Sequence, residues 1–118
     1  MEIKIHEDTG VINASLVGVD CLDATNAGFL KTEVAARVPP TRNLVLSLAA
    51  VQSIDSAGIG ALVTILKQVR RGGGRLGLVR VNPPVRSLLE VIRLTNVFEI
   101  FPDEGAALAA FAPSPGAG

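Results

Sequence analysis

At 118 residues the chain has the length of one domain with a sizeable core. Apolar residues make up 48% and charged residues 19%, a globular balance that excludes intrinsic disorder. Lys and Arg total 11 against 11 Asp and Glu, so the net charge is zero. This argues against a nucleic-acid binder, which needs a basic face to displace counterions.

In chain order, Ile3 and Ile5 alternate with Glu2, Lys4 and His6, predicting a half-buried strand. Asp8-Thr9-Gly10 marks a turn, and Val11 to Val17 returns as its hairpin partner. Asp23 is placed to cap a helix running through Thr25, Ala27, Leu30, Val34 and Val38, and Pro39-Pro40 stops it. Leu44 to Leu48 reads as a strand covered on both faces. After Gln52 to Asp55, Ile59, Leu62, Val63, Leu66 and Val69 recur at helical spacing until Gly72-Gly73-Gly74. Leu76, Leu78 and Val79 form the next strand. Asn82-Pro83-Pro84 opens a third helix with Val85, Leu88, Leu89 and Ile92 on one face. Val97 to Phe101 is a last strand, and Pro102-Asp103-Glu104 begins a helix carrying Ala107, Leu108 and Phe111.

The predicted order is β-β-α-β-α-β-α-β-α: an α/β fold with a mixed, mostly parallel sheet, an antiparallel edge and packed helices. A single domain over residues 1–112 is expected, followed by a flexible tail over 113–118 rich in Pro, Ser, Gly and Ala. The start of the chain lacks a basic segment followed by an apolar run, and no apolar stretch reaches bilayer length. A cytoplasmic protein without membrane insertion is therefore expected.

Chemistry-bearing residues are sparse. Aromatic content is 3%, leaving little for base or sugar stacking. The lone Cys21 reads as a small core residue, and His6 as a surface residue of an edge strand. No metal-ligand spacing occurs, so no metal, cofactor or catalytic group is expected. Lys67, Arg70, Arg71 and Arg75 cluster around a helix end, where cations complement the dipole. Gly72-Gly73-Gly74 follows a helix and precedes a strand, the reverse of a phosphate cradle. Asp55-Ser56-Ala57-Gly58-Ile59-Gly60 does run from strand into helix, but it is too short for a nucleotide loop and has no lysine. It offers small residues and one hydroxyl at the positive end of a helix, a place for an anion or a close partner.

Val45-Leu46-Ser47-Leu48 followed by Val51-Gln52-Ser53-Ile54-Asp55-Ser56-Ala57-Gly58-Ile59 resembles the signature of STAS domains, the anti-sigma-factor antagonists and their relatives. Leu22-Asp23-Ala24-Thr25-Asn26-Ala27 is similar to the segment that opens the family's first helix, and the later elements follow in the same order. The resemblance implies a non-enzymatic regulatory module that binds an anti-sigma factor, often a serine kinase, and is switched by phosphorylation at the turn. A phosphatase is a further implied partner. Asp23 and Asp55 match positions that shape the family's partner-binding face, and the small residues beside them, with Ile59 as an apolar anchor, extend the candidate face to Thr25, Ser56, Ala57, Gly58 and Ile59. The acceptor position the resemblance implies, immediately before the glycine, is Ala57 here. That leaves Ser56 as the phospho-switch candidate. Ser47 also departs, standing where relatives often carry an aspartate. Two other readings remain beside it: a constitutive STAS subunit of a transport or scaffold complex, and a small nucleotide-binding enzyme with a polar pocket near Asp55.

Overall fold

The structure is a computed structural model that describes residues 1–40 and 42–111; the tail expected over 113–118 lies outside the described residues. Strand β1 (Glu2–Asp8) pairs antiparallel with β2 (Val11–Val17). Thr9 and Gly10 join them at φ +51° and +83°, the paired positive values of a two-residue hairpin turn. Strands β4 (Leu44–Ser47), β6 (Leu76–Val79) and β7 (Glu99–Phe101) then add in parallel, giving the order β1-β2-β4-β6-β7. The mixed sheet with its antiparallel edge is as expected from the sequence, and His6 is exposed on the edge strand β1. A short pair, β3 (Cys21–Leu22) with β5 (Ser53–Ile54), stands apart from the main sheet and was not expected.

The crossovers carry α1 (Ala27–Arg37), α2 (Ser56–Arg71) and α3 (Pro83–Val91), and α4 (Glu104–Phe111) ends the described chain. Right-handed connections place α1, α2 and α3 on one face. Ile12, Ala14, Leu16, Leu46 and Leu78 meet Leu30, Leu62 and Leu89 there in the main core. α4 covers the opposite face, where Ala107 and Phe111 pack with Val11, Val45 and Val79. Both faces of the central strands are thus buried, which explains the largely apolar run at Leu44–Leu48, interrupted only by the buried Ser47.

Several sequence expectations need correction. The first helix begins at Ala27, so Thr25 lies outside it; Asn26, not Asp23, occupies the N-cap position. The last strand is only Glu99–Phe101, because Leu94–Asn96 forms a 3-10 turn that buries Phe98. Ile92 does not join Val85 and Leu89 in the core: it follows the end of α3 and stays 41% exposed. Cys21 is half-buried in β3 rather than a core residue.

Candidate partner-binding site

The β3·β5 pairing sets two helix starts side by side. Asp20 O accepts from Gln52 N (2.7 Å) and Ser53 N (3.1 Å), and Leu22 O accepts from Asp55 N (3.1 Å). Each segment turns at once into a helix, so the turn at Asp23–Asn26 and the turn at Asp55–Gly58 share one surface.

Both aspartates are occupied in shaping their own turns. Asp23 Oδ1 accepts from Thr25 N (2.9 Å) and from Thr25 Oγ1 (2.5 Å). Those donations, hydroxyl first and amide second, hold the Asp23 carboxyl below its ordinary value. Asn26 closes the turn: its Oδ1 accepts from Asp23 N, and its Nδ2 donates to Cys21 O, each at 2.9 Å. Asp55 is the N-cap of α2, its Oδ1 accepting from Gly58 N at 3.0 Å.

Gly58 is where the two turns touch. A Cβ there would lie 2.3 Å from Leu22 O and 2.6 Å from Ile54 Cγ1, so only glycine allows this approach. Ser56, the first residue of α2, is exposed; Ala57 and Ile59 are partly buried against the core edge. The hydroxyl therefore stands in solvent at the positive end of a 16-residue helix. All seven residues expected at the site are brought together, with Thr25 exposed beside Asp23.

Sequence reasoning missed two residues. One is Asn26. The other is Asn82, whose Nδ2 donates to Ala49 O (3.0 Å) and Val51 O (2.7 Å) and so holds the loop that leads into β5. An Asn before Pro-Pro signals a helix start, but not a bridge to a loop some thirty residues away. Ser47 is buried, and its Oγ accepts from Ala49 N at 3.4 Å where β4 ends.

A groove of about 340 Å³ opens at the far ends of α1 and α2, lined by Val34, Val38, Pro39, Pro40 and Val69 among others. It is apolar and lies at the opposite end of α2 from Asp55. The nucleotide-enzyme reading placed a polar pocket beside Asp55, and this groove does not meet that description. Among the described residues, no helix is long and apolar enough to cross a membrane.

The STAS domain family matches residues 2–107. The chain belongs to the STAS family of anti-sigma-factor antagonists. This STAS domain is 33% identical over 112 residues to the Bordetella bronchiseptica protein BtrV, which carries the name of an anti-sigma factor antagonist. That alignment covers 94% of this chain and 95% of BtrV. An anti-sigma F factor antagonist of Paenibacillus polymyxa is 28% identical over 108 residues, covering 92% of each chain. Among solved structures, an anti-sigma factor antagonist from Mycobacterium paratuberculosis superposes with a TM-score of 0.80 at 25% identity, over 93% of this chain and 92% of its own. The domain therefore has the fold and the general role of that group.

Proposed function

We propose that this STAS domain binds an anti-sigma factor of the serine-kinase type through the paired turns, and that phosphorylation of Ser56 releases it. The observation that carries the reading is the exposed Ser56 hydroxyl at the start of α2, immediately beside the Asp23 turn. Small and uncharged residues around it, Ala24, Ala57 and Gly60, let a partner approach the backbone closely. Transfer of the γ-phosphoryl group from ATP to Ser56 Oγ, with loss of its proton and release of ADP, adds about −1.5 to −2 charges. The helix N-terminus accommodates that charge within the domain. A partner surface packed on Ala57 and Ile59 has to desolvate it, and the complex is weakened. Asp23, Thr25 and Asp55 act by fixing the shape of the turn each belongs to.

The test uses the purified anti-sigma-factor kinase of the same organism and isothermal titration. Wild type binds, and Ala57→Glu binds at least tenfold more weakly because it mimics a phosphate at the contact. With ATP, intact mass rises by one phosphate on wild type and not on Ser56→Ala. Binding without any phosphate favours a constitutive antagonist. Failure to bind at all overturns the reading in favour of a STAS subunit in a transport or scaffold complex.

A further inference from the structure

The helical layer is not evenly packed. α1 lies along α2, whereas the backbones of α2 and α3 barely approach each other. α2 buries Gly58, Ala61, Leu62, Ile65, Leu66 and Val69. At 3.6 residues per turn, Ile59, Val63 and Arg70 fall together on one flank of that stripe. Arg70 Nη2 donates to Val97 O at 3.1 Å, so this flank faces α3 and the turn that follows it. On α3 the buried stripe is Val85 and Leu89. Leu88 and Val91 fall on one flank, and Arg86 with its ion-pair partner Glu90 falls on the other. Right-handed crossovers turn the Leu88 flank toward α2. The gap is thus walled by Ile59 and Val63 on one side and by Pro84, Leu88 and Val91 on the other. Ile59, Val63 and Leu88 are only partly buried, and Val91 is 78% exposed.

The gap runs from Ile59, in the first turn of α2, to the Arg70 crossing, about 16 Å at the helical rise, or three turns of a helix. Its two ends differ in charge. Asp20 and Asp55 are exposed at the Ser56 end, and Lys67, Arg70 and Arg93 are exposed at the other.

We propose that this gap receives an amphipathic helix of the anti-sigma partner, its apolar stripe seated between α2 and α3. Its basic end meets Asp55 and its acidic end meets Arg70 and Arg93. The assignment of the owner rests on the function proposed above; the chemistry of the occupant rests on the gap itself. An apolar stripe at i, i+3, i+4 and i+7 matches the apolar walls and the length of the gap, and bipolar charge sets its direction.

The probe is a synthetic helical peptide of about fourteen residues with that stripe, lysines at one end and glutamates at the other. A second peptide keeps the stripe and carries glutamates at both ends. Methyl NMR of the whole chain is expected to shift Ile59, Val63, Leu88 and Val91, with the bipolar peptide binding at least fivefold tighter. Val91→Asp, at an exposed position, abolishes the shifts, and Val91→Leu keeps them. Shifts elsewhere, no shifts, equal affinity for both peptides, or a wild-type dimer that buries Val91 overturns the proposal. If Ala57→Glu weakens the kinase complex while Val91→Asp leaves it unchanged, the gap is not used and the function stands. If wild type binds no anti-sigma factor, the function fails and the peptide titration still decides the gap.

Discussion

Replacing Gly58 with alanine puts a Cβ 2.3 Å from Leu22 O, 2.6 Å from Ile54 Cγ1 and 2.9 Å from the Leu22 carbonyl carbon. Two of these three neighbours are backbone, so the clash cannot be relieved by a side-chain rotation. Even a 3.0 Å contact requires the helix start to retreat by 3.0 − 2.3 = 0.7 Å. The same Leu22 carbonyl accepts from Asp55 N at 3.1 Å, so that retreat lengthens or breaks the bond joining the two turns. Overpacking costs about 1–3 kcal/mol. The weakened hydrogen bond adds about 1 kcal/mol. The better helix propensity of alanine offsets about 1 kcal/mol. The net expectation is a loss of about 1–3 kcal/mol, read as a lower urea midpoint at unchanged slope. Gly60, two residues on in the same helix, is the control: a Cβ there meets nothing within 4 Å. Gly60→Ala is expected to gain about 0.5–1 kcal/mol. Gly58→Ala as stable as wild type, or a loss at both positions, refutes the close-approach argument.

Three other outcomes follow from the geometry. Asn82→Ala leaves the Ala49 and Val51 carbonyls without their donor and is expected to cost about 1–3 kcal/mol in urea denaturation. Thr25→Val removes the hydroxyl donor to Asp23, so the Asp23 midpoint measured by carboxyl NMR should rise toward the ordinary 3.8. Because folding lowers that pKa, its stabilising contribution is complete above the unfolded value near 3.9 and fades as pH falls through the lowered folded value. Arg75 stacks 4.6 Å over the Phe111 ring, donates to Ala110 O at 3.2 Å and pairs with Glu99. Its carboxylate pair is half in solvent, so Arg75→Ala is expected to cost only about 1 kcal/mol. Amide exchange should quicken in α4 and stay unchanged in β4.

Much of the fold was legible because its information is local. Alternation in β1, the apolar run of β4 and the helical spacing of α2 each state which face is buried without reference to the rest of the chain. The turn at Asp55–Gly58 was legible for the same reason, since a cap and its glycine sit within four residues. The β3·β5 pair was not, because two-residue strands have no period to read. Nor were the reaches of Asn26 and Asn82: an amide side chain does not encode which carbonyl it will meet. Ile92 carries the same apolar spacing as Leu89, yet the helix ends beneath it and leaves it in solvent.

Composition and periodicity by themselves determined an α/β domain poor in catalytic groups, with a hydroxyl at the start of its longest helix. Tertiary structure alone decided that this hydroxyl stands beside the Asp23 turn, that Gly58 must be glycine, and that α2 and α3 are splayed. Each of those depends on a distance between segments far apart in the chain, and a sequence pattern specifies a face, not the neighbour that covers it.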